Sequence, residues 1–388
     1  MRIAMVTETY PPEVNGVART IALVAAGLRA RGHDLRLVRP RQGPGDRPLA
    51  EPGYRELLVP GFRIPRYPQL RMGLPSRARL ARAWAEERPD IVHIATEGPL
   101  GGSALAAART LGIPVASDFH TNFHAYSAHY GLGALARAVM AYLRRFHNRA
   151  DCTLVPTDEM AGELARRGFE RLRVVGRGVD SEVFSPARRS AALRASWGAG
   201  EDTPVALCVG RFAPEKNLPL VLDAYRAMRA ARPNVRLVLV GDGPLAESLQ
   251  REGIGCVIAG RKVNGELAAH YASADIFLFP SVTETFGNVT IEAMASGLAV
   301  LAYDYAAARQ HIAHGRSGLL APLGDRAAFI GHAAALVCDP GRIRALGREA
   351  RVAAEPLTWQ RVTADFEAVL LESIAARATP VREGHAAA

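Results

Sequence analysis

SVTETFGNVTIEAMASG, residues 281–297, carries two glutamates eight positions apart, Glu284 and Glu292. The apolar run Ile276-Phe277-Leu278-Phe279 precedes it, and Pro280 and Ser281 close that run. A short β-branched and aromatic run bounded by a proline reads as a buried strand. A helical pattern follows from about Val289 to Ser296, with Gly297 as its stop. Glu284 is therefore expected in the loop at the carboxyl edge of a strand, and Glu292 within the next helix. Open α/β sheets bind ligands at that edge. Amides exposed at the helix start, with Gly287 clearing space, suit a phosphate or a hydroxyl. Each glutamate alone is as ordinary as a solvated acid at a helix entry, so its neighbours must decide.

Working outward, strand-like runs recur at Val205–Val209, Leu237–Val240, Val257–Ile258, Val300–Ala302 and Gly318–Ala321. Helical stretches separate them, near Leu218–Ala231, Leu245–Arg251, Glu266–Ser273, Asp325–Val337 and Gly341–Ala353. An independent series fills the first half, with strands at Ile3–Val6, Leu35–Val38, Ile91–Ile94, Val115–Ser117, Leu154–Pro156 and Arg173–Val175. Strand and helix in alternation predict a parallel sheet wrapped by helices, here twice. The pattern breaks at GRGVDSEVFSP (176–186), read as a linker. The expected fold is thus α/β, with two Rossmann-like domains at 1–180 and 186–355 facing across a cleft. A last helix is expected at about 359–376, after a break at Pro356.

At 388 residues the chain is long enough for two buried cores, and 49% hydrophobic against 22% charged residues is ordinary for a soluble protein. No run reaches the ~20 apolar residues of a membrane span. MRIAMVTETY is interrupted by Glu8 and reads as a first strand, so a cytoplasmic location is expected. Cys152, Cys208, Cys256 and Cys338 stand alone among apolar neighbours, which predicts core residues without metal or disulfide. The net charge of +10 is concentrated in residues 1–185, where 26 arginines face 18 acids. A basic half implies an anionic partner. No nucleic-acid-binding module is recognisable and aromatic residues do not interleave with the arginines, so nucleic acid is not the expected partner.

Three further loops follow strands at the same kind of edge. TETYPPEVNGVA (7–18) places Gly16 ahead of a helix, where backbone can approach an anion closely, and it lacks GxGxxG. SDFHTNFHAY (117–126) carries His120 and His124, too few ligands for a metal, and His120 suits a hydrogen bond to a sugar. GRFAPEKN (210–217) sets Arg211 and Lys216 five apart behind a glycine, a clamp for a diphosphate.

Taken jointly with VGDGP (240–244) and EAMASGLAV, these loops make the chain resemble the retaining nucleotide-sugar glycosyltransferases of family 4, over about residues 1–375. TETYPPEVNGVA, TETFGNV and DYAAARQH are most similar to the bacterial GDP-mannose-dependent α-mannosyltransferases, and next to the sulfoquinovosyltransferases of membrane glycolipids. The resemblance implies the two-Rossmann GT-B architecture, with the last helix crossing back to the first domain near Trp359. It implies that Arg211 and Lys216 hold the diphosphate, Glu292 the ribose, and Glu284 the donor sugar with the backbone of Phe286, Gly287, Asn288 and Val289. Gly16 would close on the diphosphate and His120 would touch the sugar. The base would lie near Gly241, Ile258, Arg261 and Lys262. Retention by front-face displacement is implied, the leaving phosphate taking the acceptor proton. With no Asp-x-Asp in the chain, cationic side chains are expected to act where other transferases use a metal, and no cofactor is expected beyond the nucleotide-sugar substrate. The alternatives are a UDP-sugar-dependent glycolipid glycosyltransferase and a UDP-sugar epimerase-like enzyme.

The acceptor is expected to be a lipid or glycan. GFRIPRYPQLRMGLPSRARLAR (61–82) holds six arginines, Arg63, Arg66 and Arg71 among them, and no acid. Its prolines predict an irregular exposed loop, and its mixture of cations and apolar groups suits an anionic membrane surface, peripherally on the inner face.

Overall fold

The computed structural model describes residues 1–13, 15–64, 67–120, 133–251 and 255–378. They fall into two compact units, the first formed by residues 1–120, 137–176 and 359–378 and the second by residues 133–136 and 177–358.

The first unit is built on ten strands in chain order: β1 (Arg2–Val6), β2 (Asp34–Pro40), β3 (Ala50–Glu51), β4 (Tyr54–Val59), β5 (Gly61–Ile64), β6 (Tyr67–Gly73), β7 (Ile91–Ile94), β8 (Val115–Asp118), β9 (Cys152–Val155) and β10 (Leu172–Val174). Eight make one sheet in the order β10-β9-β8-β7-β1-β2-β4-β3, parallel except for β3. Alternation along β1 divides the core. Ile3 and Met5 join a cluster with Ile21, Val24 and Leu28 of the helix Gly16–Ala30, while Ala4 and Val6 join one with Leu80, Trp84 and Leu100. Both faces of a parallel sheet have to be covered in this way. The helix Trp359–Ala378 supplies Val362, Phe366 and Leu370 to the first of those clusters.

Two parts of this unit depart from the expectation. The strand β4 was not expected, because Arg55 and Glu56 interrupt its apolar run. In the sheet Glu56 accepts from Arg39 of β2 at 2.8 Å, a buried ion pair that makes a charged strand compatible with the interior. The stretch from Gly61 is not an irregular loop. It forms an antiparallel hairpin, β5–β6, in which Arg63 stands opposite Arg71 and Phe62 opposite Met72.

The second unit is one parallel sheet of β11 (Val205–Val209), β12 (Arg236–Val240), β13 (Val257–Gly260), β14 (Ile276–Phe279), β15 (Ala299–Tyr303) and β16 (Leu319–Ala321), ordered β13-β12-β11-β14-β15-β16. Leu207 and Val209 face one core cluster, and Ala206 and Cys208 the other. Strand order reverses between β11 and β14, which makes the carboxyl ends of those two strands the switch point of the sheet. The four cysteines are free thiols. Cys152 and Cys208 are buried and Cys256 partly so, but Cys338 is exposed just past the helix Arg326–Val337 rather than in the core.

Candidate active site

In the second unit the chemistry gathers at that switch point. The loop leaving β11 turns at Gly210, passes Arg211, and tightens into a single 3-10 turn at Pro214–Lys216. The loop leaving β14 carries Glu284 and ends at Gly287, whose φ of +93° caps the helix Asn288–Ala295. The two loops are tied together. Val282 N donates to Glu215 O at 3.0 Å and Ser281 Oγ to the same oxygen at 3.2 Å. Across this tie the Lys216 ammonium pairs with the Glu284 carboxylate, with both side chains largely covered. Lys216 Nζ also sits 5.4 Å from the centroid of the Phe279 ring. Tyr305 Oη donates to Glu284 O at 3.1 Å, holding the loop from the other side.

Glu292 faces inward on its helix, 6% exposed, and accepts from Tyr271 Oη at 3.2 Å. Phe286 is buried against the His311 ring, and Asn288 and Val289 form the first turn of the helix, half-buried. Arg211 is exposed on the same loop as Lys216. Gly241, just past β12, crosses directly beneath this loop. A Cβ there would lie 1.8 Å from Gly210 O, and its φ of +150° suits glycine alone.

The residues expected around the base are dispersed. Ile258 lies within β13 and packs against a core cluster. Arg261 is exposed immediately after that strand, and Lys262 borders a separate cavity with Trp197 and His270. The geometry thus unites Lys216, Glu284, Gly287 and the 288–295 helix, but not Ile258 with them.

The first unit has its own switch point, between β1 and β7, and two acids that the sequence did not single out occupy it. Glu8 follows β1 and Glu97 follows β7. Glu8 Oε1 accepts from Leu100 N at 2.8 Å, inside the first turn of the helix Pro99–Thr110. Burial pushes its carboxyl up to about 7, although backbone amides from Leu100, Gly101 and Gly73 pull the other way. Burial raises Glu97 to about 7 as well, with Glu8 and Asp118 adding like-charge repulsion. Tyr142 Oη donates to the Glu97 carbonyl. One strand further along, at the end of β8, Asp118 Oδ2 lies 3.0 Å from His120 Nε2 and 3.8 Å from His93 Nε2. His120 is 8% exposed and its ring is thereby oriented by a carboxylate. Gly16 opens the 16–30 helix after Asn15, which caps it by accepting from Ala18 N at 2.8 Å, and Gly16 itself is exposed. His124 lies outside the described residues. So does Arg66; Arg63 is exposed on β5 and Arg71 half-buried on β6. Among the described residues, no group of three or more His, Cys, Asp or Glu side chains could hold a metal ion.

Residues 14–183 match the family model Glycosyltransferase Family 4, and residues 203–339 match Glycosyl transferases group 1. A GDP-mannose-dependent alpha-mannosyltransferase from Mycolicibacterium smegmatis is 36% identical over 95% of this chain and 98% of its own. This chain belongs to glycosyltransferase family 4. As a family 4 member it is a glycosyltransferase, and its two switch-point sheets are those of the GT-B fold. The sucrose-phosphate synthase of Thermosynechococcus elongatus shares that fold at a TM-score of 0.78 over 97% of this chain and 99% of the other, with 21% identity. A more distant family 4 relative, a sulfoquinovosyl transferase from Arabidopsis thaliana, is 31% identical over 93% of this chain and 72% of its own.

Proposed function

We propose that the protein transfers mannose from GDP-mannose to a lipid-linked acceptor with retention at the anomeric carbon. The Lys216–Glu284 pair at the carboxyl edge of β11 and β14 carries this reading. A carboxylate that can hold sugar hydroxyls stands beside an ammonium that can receive a departing diphosphate, and both border the start of a helix. Arg211 adds a second cation on the same loop. Charge developing on the leaving group is the largest electrostatic demand of glycosyl transfer, and fixed cations with helix amides meet it without reorganisation. Glu292, reached by Tyr271, is assigned the ribose hydroxyls. The preference for GDP-mannose draws on two relatives that are each 36% identical and carry that donor in their names. The sulfoquinovosyl relative motivates the second donor to be tested.

On the acceptor side, Arg63 and Arg71 face one another across the β5–β6 hairpin, with Phe62 43% exposed beside them. Paired cations next to an exposed aromatic ring suit an anionic lipid surface. Among the described residues no helix is long and apolar enough to cross a membrane, so association would be peripheral.

The test is release of the nucleoside diphosphate from GDP-mannose, UDP-glucose and UDP-sulfoquinovose, with and without a lipid extract and with EDTA present. Acceptor-dependent release of GDP alone is the expected result. Faster turnover with a UDP-sugar would replace the donor, and a strict requirement for a divalent cation would contradict the role given to Lys216 and Arg211.

A further inference from the structure

The second unit carries a cavity of about 790 Å³ at the sheet edge opposite the Lys216–Glu284 loops. Pro204, Asp275 and Gly297 border it, each just before the amino end of β11, β14 or β15. That volume is typical of small-molecule sites. Five arginines line it against three acids.

The arginines divide by what they already hold. Arg189 donates to Asp275 at 2.8 Å and to the carbonyls of Ala272 and Ala274 at 3.1 Å. Arg232 donates to Asp202 O at 3.1 Å, and Arg351 to Ala295 O at 2.6 Å. Those three guanidinium groups hold the fold together. Arg344 and Arg348 differ: they stand one turn apart on the helix Pro340–Ala354, are exposed, and have no ion-pair partner among the described residues. The acids on the rim complete the chemistry, because the side chains of Glu201 and Asp202 are open to hydroxyl groups while Asp275 is neutralised by Arg189 and Arg194.

We propose that this cavity binds a sugar monophosphate. Two guanidinium forks one turn apart donate to the oxygens of a phosphate dianion. Glu201 and Asp202 take hydroxyls of the sugar. The site is separate from the donor loops and nonetheless touches one of their supports. Ser296 ends the 288–295 helix that carries Glu292, and Arg351 grips that helix at Ala295 O.

The test is calorimetric titration of the full chain with mannose 1-phosphate, mannose 6-phosphate, free mannose and inorganic phosphate, repeated with GDP present. One equivalent of a mannose phosphate should bind in both cases, more tightly than inorganic phosphate, with free mannose silent. The double variant Arg344→Ser/Arg348→Ser, at exposed positions, should lose this binding at least tenfold while its GDP affinity stays at the parent value. Absence of binding at about 10 mM ligand, corresponding to under roughly 3 kcal/mol, would overturn the proposal. So would binding that GDP displaces, or that survives in the double variant. GDP affinity is read separately in each titration, so failure here is distinct from failure of the donor assignment.

Discussion

On the proposed reading the Lys216–Glu284 pair divides its work, the lysine serving a diphosphate when one arrives and the glutamate a sugar. Lys216→Ala is expected to lower turnover about a hundredfold, or roughly 3 kcal/mol, because it removes one charge-assisted contact to a developing anion. Steady-state GDP release with a folded variant checks this, and near-parent turnover would take Lys216 out of the site. Glu292→Ala is expected to raise the donor's dissociation constant more than it lowers turnover, since a ribose contact exists before and during transfer. Glu284→Ala should show the reverse pattern, and identical kinetics in the two variants would remove the distinction between them.

Glu8 gives a pH prediction at the same scale. Its carboxyl is raised from 4.5 to about 7 in the folded chain. The native state therefore binds more protons than the unfolded one between those values, and stability falls as pH rises through that window. The loss reaches about 3 kcal/mol above pH 7, in proportion to the shift. Glu8→Gln keeps an acceptor for Leu100 N and removes the ionisation. Urea unfolding at pH 5 and pH 8 should show a smaller difference for the variant than for the parent, and an equal difference would mean that Glu8 is not held protonated.

At the scale of elements, the β5–β6 hairpin puts two arginines opposite each other, an arrangement that is unfavourable unless an anion lies between or above them. Changing Arg63, Arg66 and Arg71 to Ser is expected to reduce co-sedimentation with vesicles containing anionic lipid, with donor affinity unchanged. Binding of the parent should weaken with salt, and no binding of the parent at low salt would leave a soluble acceptor as the better reading. The crossing of loops at Gly241 makes the opposite kind of prediction. Gly241→Ala must displace Gly210 O, so the loop carrying Arg211 and Lys216 moves. Melting temperature should fall, with positive φ alone costing roughly 1–3 kcal/mol. A variant with parent stability and parent donor affinity would show that the loop tolerates another path.

These elements also show what could be read before any coordinates. The run Ile276–Phe279 followed by Pro280, and the helix after Gly287, were legible because apolar period and breakers are local signals. The strand β4 was not, because its compatibility with the interior depends on pairing with Arg39 of the neighbouring strand, 17 positions from Glu56. The hairpin was masked by its prolines, although arginines alternating with apolar residues are a strand signal. Glu8 and Glu97 were invisible as a pair for a different reason. They are 89 positions apart in the chain, and only the adjacency of β1 and β7 brings their loops to one edge.

At the scale of the whole molecule, the two units share a plan. Apart from the antiparallel edge strand β3, each is a parallel sheet with one switch point, and in each ionisable groups gather at or beside it. The first unit gathers carboxyl and imidazole groups there, the second an ammonium–carboxylate pair. The division is chemically sensible for a transferase, in which one partner offers a hydroxyl and the other an anionic leaving group.

The helix Trp359–Ala378, from the end of the described chain, completes the core begun by Ile3, Met5 and Ile21. On a ribosome this orders events in time. Residues 177–358 of the second unit form one continuous stretch that can close as it emerges, while the face of the first sheet that the helix Gly16–Ala30 covers only in part waits for the helix Trp359–Ala378. A nascent chain stalled before Val362 should thus present the rest of that face to a chaperone, and emergence of Val362, Phe366 and Leu370 should be the event that frees it.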